Sequence, residues 1–375
     1  MRRLVMVGLV MMGLLVVQPA AAQGPDDPCG DGVCDTAEQQ NPHLCPKDCK
    51  LPGADTESLP PPFELGADAE TASEAAATET PPDPEAQRQQ ERTYIAGVPA
   101  VQVWQQIAVI SEPENFAPSV VERHEGGYRI YWNAAQSSGG IGSAVSEDGL
   151  TWTTEPGARL ENGGSGALDC IASHPWVVAV EGGYRMYYQG NAQCGEVSGD
   201  NIPEPEYRIM SAFSSDGLEF EREGVVIDIG AETGLTQAAH GRVLDLGEHG
   251  YRMYFSANFI DKEGPADILG AYSTDGLTWA LDPIPLLERG HDPTVIQVGD
   301  TIWLYASFLA DNFLVLRSTD AYNFTPVAWV DFLDETGTRI ENFGDADVLL
   351  LPDGRLVLIG SGKGTAGLGI FVRDL

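Results

Sequence analysis

Basic residues are scarce in this chain: its 375 residues include 21 lysines and arginines against 56 aspartates and glutamates, a formal net charge of −35. A surface with that excess repels polyanions, so nucleic acid and acidic polysaccharides are not expected as partners, and a neutral or cationic ligand fits better. The same acidity also suits plain solubility or a salty habitat. Long apolar runs are rare too, and beyond the N-terminus no stretch could cross a bilayer. No complete phosphate-loop pattern occurs. Gly360-Ser361-Gly362-Lys363-Gly364-Thr365 contains Gly-Lys-Gly-Thr but lacks the spacing and the following helix, so no nucleotide is expected.

The N-terminal region divides by composition. Met1-Arg2-Arg3, an apolar run over 4–17 and Ala20-Ala21-Ala22 before Gln23 have the three parts of a secretory signal, expected over residues 1–22. No cysteine directly follows the cleavage site, which argues against a lipid anchor. The mature protein is expected to be secreted or periplasmic, with cell-surface association open and no membrane-spanning segment. Four of the six cysteines, Cys29, Cys34, Cys45 and Cys49, fall in a compact module over 23–50. Export makes two disulfides among them the expected state, with the pairing open. Asp31, Asp35, Glu38 and Asp48 are candidate calcium ligands there, because hard cations take carboxylate oxygens; the alternative is four solvated carboxylates beside a disulfide staple. Residues 51–95 are rich in Pro, Ala, Glu and Thr with few large apolar side chains, the composition of a disordered acidic linker.

What remains, 96–375, is organised by a repeat. The phrase His174-Pro175-Trp176-Val177-Val178-Ala179-Val180-Glu181-Gly182-Gly183-Tyr184-Arg185-Met186-Tyr187 recurs in pattern, led in turn by Ala117, His174, His240, Asp292 and Asp345. Each copy reads as an apolar strand, a glycine-rich tight turn, a second strand, and a third that ends in Ser-x-Asp-Gly, as in Ser146-Glu147-Asp148-Gly149 and Ser273-Thr274-Asp275-Gly276. Intervals of 52 to 66 residues suit four antiparallel strands per repeat. The fold class is therefore all-β, a five-bladed β-propeller preceded by a small disulfide-rich module and a disordered linker. The last repeat has room for only three strands, so residues 100–110 are expected to supply its fourth and close the ring.

Equivalent positions converge, so the five leading residues should meet on one face at the axis. Three of the six histidines, His174, His240 and His291, lie at or beside leaders. Together with Asp292 and Asp345 they form a ring of imidazoles and carboxylates. His174, His240, Asp292 and Asp345 are the candidate catalytic residues. His174, His240, His291 and Asp292 are candidate ligands of a divalent metal, either calcium or a transition metal. The bland alternative is that these side chains bond one another and water to fill the mouth of the channel. Trp176 and Glu232 are candidate ligand-binding residues, a stacking platform and a spare acid, with burial between blades the alternative for Trp176 and plain exposure for Glu232. Cys170 and Cys194 should share this face, and a disulfide between them would pin the long 190–207 loop. Arg129, Arg185 and Arg252 recur too regularly for one site and are expected between blades.

These repeats, with Asp292-Pro293-Thr294-Val295-Ile296-Gln297-Val298-Gly299-Asp300 and the Ser-x-Asp-Gly turns, resemble the five-bladed propellers of the arabinanase, β-xylosidase, levansucrase and invertase superfamily over residues 96–375. The N-terminal module resembles the short CGDGxC and CPxDC modules of many secreted proteins. The superfamily resemblance implies a glycoside hydrolase-like protein with carboxylates on the first three blades: an Asp base or nucleophile, a second Asp and a Glu acid. Carried over by position these are Ala117, His174 and His240, none a carboxylate. Glycoside cleavage needs two carboxyl groups, which leaves Asp292 and Asp345 as a displaced pair. The resemblance also implies a calcium near the axis, with His291 at a matching position. Three functions follow: a secreted hydrolase or transferase acting on a neutral oligo- or polysaccharide, a non-catalytic extracellular glycan- or ligand-binding module, and a metal-dependent enzyme of another class.

Overall fold

The computed structural model describes residues 83–98, 100–110, 116–133, 139–193, 206–309, 311–363 and 367–374. The expected signal segment, the Cys29–Cys49 module with Asp31, Asp35, Glu38 and Asp48, most of the linker, and Cys194 lie outside them. The described residues carry twenty strands in four sheets. The first three sheets are four-stranded meanders. One comprises β2 (Phe116–Glu122), β3 (Tyr128–Asn133), β4 (Ile141–Ser146) and β5 (Thr153–Leu160). The next holds β6 (Ile171–Val180), β7 (Gly183–Asn191), β8 (Tyr207–Ser214) and β9 (Glu221–Ile227). The third holds β10 (Leu235–Asp245), β11 (Tyr251–Phe259), β12 (Asp267–Ser273) and β13 (Ala280–Leu281).

The remaining sheet has eight strands. Its halves are the meander β14 (Gly290–Val298), β15 (Thr301–Phe308), β16 (Asn312–Ser318) and β17 (Thr325–Leu333), and the three strands β18 (Glu341–Leu350), β19 (Arg355–Lys363) and β20 (Leu368–Asp374). Strand β1 (Ala100–Ile110) joins them. Its second half pairs antiparallel with β20, from Gln105 opposite Val372 to Ile110 opposite Leu368, and so supplies the fourth strand missing from the last repeat. Its first half pairs parallel with β17, from Ala100 opposite Ala328 to Gln105 opposite Leu333. That parallel half is additional to the expected clasp: one strand covers the outer edges of two neighbouring units, leaving neither open. The first strand of each unit packs on the next in the cyclic order β2, β6, β10, β14, β18 and back to β2. The architecture is a β-propeller.

Sequence dictates the staples between neighbouring units. The hydroxyls of Tyr131 and Tyr187 donate to the carbonyls of Gly217 and Gly276 at 2.9 Å, and Tyr254 donates to Ala321 at 2.7 Å. Arg129 and Arg185 donate to Asp216 and Asp275 carbonyls in the same turns, and Arg252 to Ala321. The Tyr-Arg-x-Tyr strand of one unit thus grips the Ser-x-Asp turn of the next, closed by Gly217 and Gly276 in two cases and by Ala321 in the third. The turn itself is a local device: Asp148 accepts from the Leu150 and Thr151 amides, and these bonds hold its carboxyl down at about 2. The hairpin glycines are equally specific. A Cβ at Gly127, Gly183 or Gly250 would meet the carbonyl oxygen of Ser146, Ser214 or Ser273 at 2.6, 2.2 or 2.4 Å.

The end of the expected linker is ordered. Residues Pro84–Arg92 form helix α1, capped by Asp83, whose carboxylate accepts from the Glu85 amide, with proline at the first turn. Arg88 and Arg92 both reach Asp331 of β17, at 2.5 and 2.7 Å. Composition reads this segment as solvated, but its two arginines find one carboxylate on the propeller and their stems are buried against it. No helix among the described residues is long and apolar enough to cross a membrane.

Under β1 lies an aromatic core. Phe332 and Phe343 stack at 3.7 Å, Phe371 meets both edge-on at 5.2 Å, and Trp104 of β1, 1% exposed, packs edge-to-face on Tyr305. Trp104→Ala is expected to cost about 3–5 kcal/mol, whereas Val103→Ala, at a site 55% exposed on the same strand, should stay within about 0.5 kcal/mol. Urea unfolding midpoints check this, and equal losses for the two variants would contradict the clasp.

Candidate functional site

The five leaders share one backbone state. Ala117, His174, His240, Asp292 and Asp345 have φ of 53°, 50°, 54°, 48° and 46°, the left-handed region that residues with a Cβ adopt at a cost. Each also sits where the pairing between the first and second strands of its unit slips: between Phe116 and Ser119, Ser173 and Trp176, Ala239 and Arg242, His291 and Thr294, and Gly344 and Asp347. A bulge with a left-handed residue re-aims the side chain out of the sheet. Five such bulges bring the leaders together.

The contacts among them are close. The rings of His174 and His240 meet at 4.4 Å between centroids, tilted by 66°. His240 Nδ1 lies 2.7 Å from Asp292 Oδ1 and 3.2 Å from Ser256 Oγ, and that hydroxyl accepts from the Asp292 amide. His291 Nδ1 is 2.9 Å from Asp292 Oδ2, while its Nε2 faces the Leu309 carbonyl at 3.0 Å. Asp345 Oδ1 is 3.6 Å from His174 Nε2 and 3.9 Å from His240 Nε2. It is sealed from solvent and has no hydrogen-bond partner. The structure therefore brings together all four candidate catalytic residues, and with them His291.

Their environments push the ionisations apart. Burial holds His174 neutral, its pKa well below the ordinary value, with the neighbouring His240 adding to the effect. Burial acts the same way on His240, but the charge and hydrogen bond of Asp292 outweigh it and raise the pKa. Asp292 is held well below the carboxylate range by the two histidines despite its burial. Burial and the Asp292 charge push Asp345 up to about 6, and the Asp292 hydrogen bond carries His291 up to about 9 against its burial.

A second ring lies two residues along each strand, at Ser119, Trp176, Arg242, Thr294 and Asp347. Trp176 is 7% exposed, and its indole donates to the Val243 carbonyl at 2.8 Å. It is packed between units with the Arg242 guanidinium 5.0 Å from its ring, so it offers no stacking surface for a ligand. Arg242 is fully buried, donating to the Pro293 and Pro175 carbonyls. Asp347 is buried too, accepting from Thr294 Oγ1 and the Val348 amide, and burial raises its pKa to about 6. Trp176 is the one member of this ring that stands out in the sequence; the others do not, because the residue types vary from unit to unit.

A cavity of about 290 Å³ opens beside Asp292 and Asp345. Its walls include Ser307, Asn312, Asn342 and Ser361 from the fourth and fifth units, and His291. None of the hydroxyl and amide residues belongs to a leader position, which is why the repeat did not single them out. His174 and His240 do not line it and meet it through Asp345. Asn312 is fixed by α1, accepting from Arg92 Nε at 2.8 Å and donating to Glu91 at 2.9 Å. Glu232 is exposed in the turn before β10. Cys170 is buried and disulfide-bonded, with Cys194 outside the described residues. Gly360–Lys363 is the end of strand β19, not a phosphate-binding loop before a helix.

A thermostable family-43 glycoside hydrolase superposes with a TM-score of 0.52 at 15% identity, over 72% of this chain and 91% of that one. An endo-arabinase from Bacteroides thetaiotaomicron gives 0.53 at 14%, over 72% and 97%. A family 117 glycoside hydrolase from the marine bacterium Zobellia galactanivorans gives 0.52 at 15%, over 72% and 89%. The chain has the propeller fold of these glycoside hydrolases. In sequence it is 35% identical over 159 residues to uncharacterized proteins from two strains of Mycobacterium tuberculosis, covering 40% of this chain and 48% of theirs. The chain thus spans about half the length of the curated relatives it matches. No family model matches.

The buried leader Ala117 tests the shared backbone state. Ala117→Gly is expected to stay within about 1 kcal/mol of the parent, since relief of the left-handed strain offsets the added chain entropy. Ala117→Val, β-branched and overpacked, should lose more than about 2 kcal/mol. Equal denaturation midpoints for the two would contradict the left-handed bulge.

Proposed function

We propose that this is an exported carbohydrate-active propeller, glycoside hydrolase-like, that takes a neutral glycan into the cavity beside Asp292 and Asp345. The five four-stranded units are its five blades. The observation that carries the reading is the convergence of His174, His240, Asp292 and Asp345 at the axis, beside a cavity walled by amides and hydroxyls. Asn342, Ser307 and Ser361 offer neutral donors and acceptors suited to the hydroxyls of a sugar, and the surrounding acidity disfavours an anionic one. The glycoside hydrolase neighbours support the substrate class. Export rests on the N-terminal segment, and the disulfide that holds Cys170 fits an oxidising compartment.

The chemistry departs from the usual pattern. With Ala117, His174 and His240 on the first three blades, a paired acid and base can come only from the leaders Asp292 and Asp345, on the fourth and fifth. The buried imidazoles beside them can hold or move a proton. A second reading, a binding module without turnover, is favoured by Ala117, which can do neither.

The full exported chain, screened against neutral oligosaccharides, is expected to release shorter sugars. Asp292→Asn and Asp345→Asn should each lower kcat/KM by about 100-fold or more with sugar affinity changed only a few-fold. Affinity without turnover in the parent chain would support the binding module instead. Absence of both would overturn the carbohydrate assignment.

A further inference from the structure

The two axial histidines present the same side to Asp345. His174 Nδ1 is engaged by Ser173 Oγ at 3.1 Å and His240 Nδ1 by Asp292 at 2.7 Å. Both rings therefore turn Nε2 toward Asp345 Oδ1, at 3.6 and 3.9 Å. These distances are too long for hydrogen bonds, which fall at about 2.7–3.2 Å. They approach the spacing of two donors on one ion: with metal–ligand bonds of about 2.0–2.1 Å, tetrahedral ligands stand roughly 3.3–3.5 Å apart. One donor atom from each of His174, His240 and Asp345 lies within 4.8 Å of the other two. Asp345 Oδ1, at the centre of the arrangement, is a buried oxygen with no hydrogen-bond partner, an expense that a native fold avoids unless something binds there.

We propose that His174 Nε2, His240 Nε2 and Asp345 Oδ1 bind a divalent transition metal of the zinc type. Two neutral imidazoles and a carboxylate are a borderline-soft donor set, poorly suited to calcium, which takes six to eight oxygens. Three protein ligands leave a coordination position for an exogenous oxygen, as in catalytic rather than structural zinc sites. Asp292 is not a ligand. It accepts from His240 Nδ1 and fixes the ring with Nε2 toward the ion, the outer carboxylate that orients a metal-bound histidine. His291 is outside the set as well, because Asp292 and the Leu309 carbonyl occupy its two nitrogens. The assignment does not depend on which sugar, or whether any sugar, enters the neighbouring cavity, but an Asp345 that holds an ion is not free to be the acid or base of the paired mechanism.

Chelator-treated full-length protein is the material for the test. Zinc added to it is expected to bind one ion per chain at the axis, and cobalt(II) in its place to give the visible d–d bands of a low-coordinate nitrogen–oxygen site. His174→Ala, His240→Ala and Asp345→Asn should each weaken zinc at least 100-fold. Asp292→Asn should weaken it by roughly 10- to 100-fold, and His249→Ala, at an exposed turn, should change nothing. Calcium in tenfold excess should not displace zinc. Absence of zinc and cobalt binding by the parent chain would overturn the proposal without recourse to any variant. So would stoichiometric zinc binding that survives His174→Ala together with His240→Ala. Sugar binding by metal-free protein would leave the glycan assignment standing whichever way the metal result falls, and zinc binding without any sugar interaction would do the reverse.

Discussion

Left-handed backbone at one bulge within the first strand of each unit is the constraint on which this propeller's centre depends. An L-residue in that region is strained by roughly 1–2 kcal/mol, and the chain accepts the strain at five equivalent places with residues other than glycine. Glycine would relieve it and deliver no side chain. The strain persists because the residues that follow are locked: Arg242, Trp176 and Asp347 are buried and hydrogen-bonded across units, so the bulge cannot relax without breaking the second ring. Strain at the leaders and satisfaction one layer deeper are one arrangement.

That layering also decides the electrostatics of the axis. A buried guanidinium, Arg242, lies two residues along the strand from His240, and no carboxylate accepts its hydrogen bonds, which go to carbonyls. Among the leaders themselves, negative groups outnumber the cations that a neutral His174 leaves. Asp292 shares its two oxygens between His240 and His291 and is electrically satisfied. Asp345 is not: its Oδ1 faces two imidazole nitrogens and has no hydrogen-bond partner. The leaders thus place one methyl, two imidazoles and two carboxylates at the axis.

Much of the scaffold was legible in the residues. The repeat marked the units, the Ser-x-Asp-Gly and double-glycine turns marked the hairpins, and the short final repeat pointed to residues 100–110 as its missing strand. Arg129, Arg185 and Arg252 were readable as residues between units because recurrence excludes a single site. The leaders were readable as a cluster for the same reason. Other features depend on contacts that no local pattern encodes. The parallel pairing of β1 with β17 is a tertiary choice, as is the docking of α1 on Asp331, where a polar segment becomes ordered through two arginines sharing one carboxylate. The direction of the His240 imidazole was also beyond sequence, since it is set by Ser256 and Asp292 arriving from other strands. For that reason His291 and Asp292 could be grouped with His174 and His240 as equals, although the geometry pairs His291 with Asp292 and gives His174 and His240 to Asp345.

The account stands on one claim, that the axial leaders and the adjoining cavity form a single ligand site. A crystal structure of the full chain soaked with a neutral oligosaccharide tests it most directly. Sugar is expected in the cavity beside Asp292 and Asp345, with hydroxyls on Asn342 and Ser361. Sugar bound only elsewhere, with the axial side chains undisturbed and the cavity filled by water, would contradict it.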